Sequence, residues 1–116
     1  MMKNLNFERA VDDMLREEEA KRMAYLMPCT AFEKTTFYQQ VTKAKNELHE
    51  AWDAWEVWRE NDWEAQYRKA ILMECVDVQV CMETLMHNLG ADETERAEMR
   101  RAVWEKNNAR GYYDEI

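Results

Sequence analysis

Glycine and proline are nearly absent from this chain. Two glycines (Gly90 and Gly111) and one proline (Pro28) occur in 116 residues. A sandwich or barrel needs turn residues at every hairpin, so all-β architectures are excluded. Both glycine-rich nucleotide loops are excluded as well, because each needs glycines close together. Cysteine is scarce: Cys29, Cys75 and Cys81 are odd in number and form no Cys-x-x-Cys pair. They read as reduced, mostly buried thiols of a cytoplasmic protein. The longest stretch free of Asp, Glu, Lys and Arg runs only from Met23 to Phe32. A spanning helix needs about 20 apolar residues, so no membrane partner is expected. The N-terminus shows no basic segment followed by an apolar one, so no leader is expected. Positive charge is in deficit too: 16 Lys and Arg face 24 Asp and Glu, a net charge of −8. That balance argues against duplex nucleic acid as a partner. It leaves room for a phosphorylated substrate if metal ions reverse the local charge.

What is present is helical. With 47% hydrophobic and 34% charged residues, the composition is that of a folded chain. Its length suits a single all-α domain over residues 1–116. The first helix is expected from about Phe7 to Leu26, with Phe7, Val11, Met14, Leu15 and Met23 near helical spacing. Pro28 ends it. Thr30-Ala-Phe-Glu33 has the form of a capping box and is expected to open the second helix, which reaches about Arg59. Val41, Leu48, Trp52, Trp55 and Val57 or Trp58 give that helix an apolar face. Asn61-Asp62 breaks the pattern before a third helix from Trp63 to Leu89, with Gly90 as its C-terminal cap. Asp92-Glu-Thr-Glu95 resembles another capping box and starts a fourth helix to about Ala109. The joins are short, which predicts antiparallel neighbours and a four-helix bundle-like, oligomeric fold.

The chemistry is carried by acids on faces where core residues belong. Glu47 and Glu50 form ExxE beside Leu48 and Trp52, and Glu74 and Asp77 form ExxD within Ile-Leu-Met-Glu-Cys-Val-Asp-Val. Residues three apart share a helix face, so each pair points two carboxylates one way. Acids in so apolar a stretch are costly to bury unless paired or bound to a cation. Antiparallel packing of the two helices would bring all four together. Their hard oxygens suit Mg²⁺, with Mn²⁺ possible, rather than zinc or copper. The ordinary alternative is a solvated acidic face paired with Lys and Arg.

A cationic feature follows near the C-terminus. Lys106 and Arg110 are spaced i,i+4, with Asn107 beside them. As dipole partners at a helix C-terminus they are unremarkable. As a phosphate grip, Arg would supply fork geometry and Lys a point charge.

In order and spacing these segments resemble the MazG-like, all-α nucleotide pyrophosphohydrolases, relatives of the dimeric dUTPases. Asn46-Glu47-Leu48-His49-Glu50 is followed after 23 residues by Glu74-Cys-Val-Asp77, and later by Lys106-Asn107-Asn-Ala-Arg110-Gly-Tyr-Tyr. The family pattern is EExxE, a variable gap, ExxD and a Lys/Asn/Arg cluster. The resemblance spans about residues 37–113. Asn46 stands where the family has its first Glu, so a supporting role of that Glu does not carry over. The resemblance implies Mg²⁺-dependent cleavage of a nucleoside triphosphate to monophosphate and pyrophosphate, in a homodimer or homotetramer. It implies Glu47, Glu50, Glu74 and Asp77 as metal ligands, Glu47 or Glu50 as the group that takes the water's proton, and Lys106, Asn107 and Arg110 as phosphate contacts.

The other candidates carry less. A di-iron bundle wants Glu-x-x-His on two helices, and His49 and His87 do not stand in that spacing. Glu83 and His87, four apart, read as a surface pair. Asp53 continues the spacing from Glu50 and reads as solvated. Trp52, Trp55, Trp58 and Trp63 read as core or subunit interface, with base stacking a lesser option. A non-catalytic, homo-oligomeric helical interaction protein is the alternative function.

Overall fold

The computed structural model describes residues 5–24 and 26–113, with side chains from 6 to 16 and from 26 onward. Met23, expected on the first apolar face, lies outside the described side chains, and Tyr25 outside the described residues. So do the two ends of the expected 1–116 domain.

The protein is all-helical over the described residues. Helix α1 spans Leu5–Ala24, α2 Phe37–Glu60, α3 Ala65–Asn88 and α4 Glu93–Ala109. The first helix therefore stops before Leu26.

The expected start of α2 at Thr30 is corrected. Thr30–Phe32 is a single 3₁₀ turn, and α2 is capped by Thr36 instead. Gln39 N–H donates to Thr36 Oγ1 (3.1 Å) and Thr36 N–H donates to Gln39 Oε1 (2.9 Å). The same capping motif thus occurs twice, and tertiary contacts select the second. Cys29 N–H donates to Thr84 Oγ1 (2.9 Å), and Asn88 Nδ2 donates to the Phe32 carbonyl (3.0 Å). Backbone groups of the loop find partners on α3, so the loop has no need to coil.

Helices α2 and α3 form an antiparallel hairpin. Gln40 lies against Cys81 near its open end, and Trp58 lies against Trp63 at its turn. The turn holds two non-glycine residues in the left-handed region, Asp62 (φ 56°) and Trp63 (φ 60°). For this reason α3 begins at Ala65 rather than Trp63. The strain at Trp63 is offset by aromatic contact: its ring meets Trp58 edge-on at 4.8 Å and Trp55 at 6.2 Å. Asp tolerates this region better than most residues but less well than Gly. Asp62→Gly should therefore raise stability by about 0.5 kcal/mol. Trp63→Gly relieves the same backbone yet should destabilise, because it removes both ring contacts. Urea unfolding midpoints of the two variants check this.

Helix α4 is tied to α3 through charge. Asp92 caps it, its Oδ1 accepting from Glu95 N–H at 2.9 Å. The buried Glu83 carboxylate meets Arg96 Nε at 2.8 Å and Arg100 Nη1 at 2.6 Å, and Glu93 bridges the same two arginines. The expected Glu83–His87 surface pair is therefore corrected: Glu83 is buried against α4, and His87 faces Glu33 at 3.9 Å. The cysteines need correction too. Only Cys81 is buried, whereas Cys29 and Cys75 are exposed and all three are free. Cys29 sits in the loop, and Cys75 falls on the outward side of α3, one residue beyond Glu74.

Little apolar surface is enclosed within one chain. Among the described residues, the buried ones are Pro28, Gln40, Ala44, Cys81, Glu83, Thr84 and Arg96, more of them polar than apolar. Leu48, Trp52, Leu72, Met73 and Val76 are all exposed on the hairpin. The radius of gyration is 19.4 Å, against about 13 Å for a compact chain of this length. Among the described residues, no other helix pair packs along its length as α2 and α3 do.

Candidate metal centre

The hairpin register determines where the acids meet. Glu47 and Glu50 are one turn apart on α2, and Glu74 and Asp77 are one turn apart on α3. Because the helices run in opposite directions, the two pairs face each other at mid-hairpin. Carboxylate oxygens of Glu47, Glu50 and Glu74 all lie within 4.8 Å of one another. Asp77 is close enough that its charge acts on both Glu47 and Glu74.

The electrostatics are those of crowded like charges. Burial pushes the Glu47 carboxyl above its ordinary value, assisted by a hydrogen bond with Glu50 and by the charges of Glu50, Asp77 and Glu74. Burial also raises Glu74, followed by the charges of Glu50 and Asp77. Glu74 Oε2 is shielded from solvent, and no hydrogen-bond donor among the described residues reaches it. A buried carboxylate oxygen without a donor costs free energy unless a cation reaches it.

The donor set fits a hard divalent cation. All the candidate ligands are carboxylate oxygens, the preference of Mg²⁺. Opposite ligands of Mg²⁺ stand about 4.2 Å apart, twice its bond length. Oxygens of Glu47, Glu50 and Glu74 within 4.8 Å of one another are close enough for all three to reach one such cation.

Neither histidine is placed as a ligand: His49 faces Asp53 at 3.8 Å and His87 faces Glu33. Lys106 and Arg110 are exposed at the end of α4. Asn107 Nδ2 donates to Tyr113 Oη (3.4 Å), whose ring stacks on Trp104 at 5.9 Å. No contact among the described residues connects these three with the acids.

Beside the acids lies a cavity of about 120 Å³ that sequence reasoning did not identify. Glu47 and Asp77 form part of its wall, joined by Phe32, Gln40, Lys43, Cys81 and Thr84. A signal for it existed. Gln40, Lys43, Glu47 and Glu50 recur every three or four residues on α2, as do Glu74, Asp77, Cys81 and Thr84 on α3. Each acid pair is therefore one end of a longer polar stripe.

No helix among the described residues is long and apolar enough to cross a membrane. Comparison with known proteins gives no matching family model, curated protein or solved structure.

Proposed function

We propose that this chain is a Mg²⁺-dependent nucleoside triphosphate pyrophosphohydrolase, acting in the cytoplasm as a homodimer or homotetramer. The observation that carries the reading is the convergence of Glu47, Glu50 and Glu74 within 4.8 Å, with Asp77 adding its charge. The resemblance of the motif order to the MazG-like enzymes supports it.

Glu47, Glu50, Glu74 and Asp77 would hold Mg²⁺, or Mn²⁺. A cation held there would neutralise phosphate charge and lower the pKa of an attacking water. The water oxygen bonds to the α-phosphorus as the bond from that phosphorus to its β-bridging oxygen breaks. Pyrophosphate leaves, and the water's proton passes to Glu47 or Glu50. The same acids explain how a chain of net charge −8 binds a polyanion: it does so through the cations it collects. As phosphate contacts, Lys106, Asn107 and Arg110 require a second copy that carries α4 over the acids of the first.

The test is a set of nucleoside triphosphates with Mg²⁺, reading pyrophosphate and monophosphate. At least one should be cleaved, and chelator should abolish the cleavage. Orthophosphate as the sole product, or turnover that survives exhaustive chelation, would sink the assignment.

The exposed hairpin face supports the oligomer. Leu72, Met73 and Val76 on α3 and Leu48 and Trp52 on α2 together leave a large apolar surface in water. Light scattering at micromolar concentration should show a dimer or larger. Val76→Lys, a charge placed on that face, should shift the distribution to smaller species. The same face suits the alternative, a non-catalytic homo-oligomeric interaction protein. A strictly monomeric wild type would count against both.

A further inference from the structure

We propose that Cys29 and Cys81 form an oxidation site: hydrogen peroxide joins them in a reversible disulfide that clamps the loop before α2 onto α3. This goes beyond the pyrophosphohydrolase reading and does not rest on it, since that reading gives the thiols no role.

Placement is the first argument. Pro28 is buried and fixes the backbone just before Cys29. The Cys29 carbonyl accepts from Phe32 N–H (3.0 Å), which closes the 3₁₀ turn. Its own N–H donates to Thr84 Oγ1 (2.9 Å) on α3. Thr84 stands three residues from Cys81, and residues so spaced are neighbours on one helix face, about 5–6 Å apart between Cβ atoms. The loop backbone at Cys29 is thus anchored to the side of α3 that carries Cys81. A disulfide needs Cα atoms roughly 4.4–6.8 Å apart, the scale of such a contact. On the other side, Gln40 Nε2 donates to the Cys81 carbonyl (3.2 Å) and ties α2 to the same point. Both cysteines line one cavity, and the charge of Cys29 acts on Cys81. With loop and helix already tied together, joining the sulfurs costs little further chain entropy.

Exposure divides the labour. Cys29 is exposed and Cys81 is buried. Redox-responsive sites pair an accessible thiol with a resolving one in this way. The Cys29 thiolate attacks one oxygen of the peroxide. An S–O bond forms, the O–O bond breaks, and the hydroxide released takes up the proton that Cys29 gave. The Cys81 sulfur then attacks the sulfenic sulfur of Cys29. The S–S bond forms, the S–O bond breaks, and the departing hydroxide leaves as water with the Cys81 proton. Two thiols lose two electrons, and one peroxide becomes two waters. Cys75 is exposed on the outward side of α3 and does not line the cavity, so it serves as an internal control.

The test treats the full chain with equimolar hydrogen peroxide, quenches with catalase, alkylates the remaining thiols and maps the peptides without reduction. A peptide linking Cys29 to Cys81 should appear within one chain, with Cys75 alone alkylated. The oxidised protein should melt higher by on the order of 10 °C, as expected when a disulfide closes a long loop. Dithiothreitol should reverse the shift. Cys75→Ser should keep the linkage, whereas Cys81→Ser should stop at a Cys29 sulfenic acid that dimedone traps. In urea, where loop and helix separate, the preference for this pair should be lost. Linkage through Cys75, oxidation of all three thiols without an internal bond, or a Cys29–Cys81 bond that forms equally well in urea would overturn the proposal. Pyrophosphate release, present or absent, does not enter these readouts, so this inference and the proposed reaction fail separately.

Discussion

Glu74→Gln should lower Mg²⁺-dependent pyrophosphate release by about a thousandfold or more in kcat. The substitution keeps the shape of the side chain and removes its charge. Glu74 is the acid with an oxygen that is shielded and lacks a donor, and it faces both carboxylates of α2. Loss of one ligand weakens charge stabilisation worth several kcal/mol in the transition state, and about 4 kcal/mol is a factor of a thousand. The informative control is Asp53→Asn. Asp53 lies one turn beyond Glu50 on the same helix, yet it is exposed and turned towards His49. Its loss should leave turnover within about twofold, as expected for a surface site. Steady-state kinetics on the two variants separate a built centre from an acidic surface. Equal, small effects at Glu74 and Asp53 would show that the convergence of the acids has no catalytic consequence.

Mg²⁺ should stabilise the fold, and more strongly as pH rises. Glu47 and Glu74 both have folded pKa values above the ordinary glutamate value of 4.5. In the metal-free protein, acids raised in this way favour the folded state below the unfolded value. That contribution is lost as pH climbs through the folded value. Apo stability should therefore decline from about pH 4.5 upward through the titration of the cluster. Near neutrality the acids repel one another, and a cation relieves them. At a hundred times its dissociation constant, Mg²⁺ adds about 2.7 kcal/mol by mass action. In a domain of this size that is a melting shift on the order of 10 °C. Asp77→Asn should raise the apo melting temperature and blunt the Mg²⁺ response, because it removes both the repulsion and a ligand. Scanning calorimetry across a Mg²⁺ titration reads both effects. A flat melting temperature with all four acids intact would favour the non-catalytic interaction protein.

The sequence by itself determined the helices and the pairing of the acids within each one. Helical period, cap residues and the scarcity of glycine and proline act over a few residues, and these local terms are legible in one dimension. The breaks near Asn61 and Gly90 are such features, and the left-handed φ of Gly90 (89°) is the local conformation its residue type favours. Where two local signals were equivalent, sequence could not choose between them. Thr30 and Thr36 both head a capping motif, and only the reach of Thr84 and Asn88 from α3 decides that α2 starts at the second. The same holds for Glu83, whose partners Arg96 and Arg100 lie on another helix and not one turn away on its own. The cavity beside the acids is tertiary in the same sense. Its walls come from the loop, α2 and α3 at once, and their meeting depends on hairpin register, a property of two helices together. The exposed apolar face follows from packing as well. Periodicity marks a helix side as apolar but leaves open whether its own chain covers it, and here α1 and α4 leave that side to water.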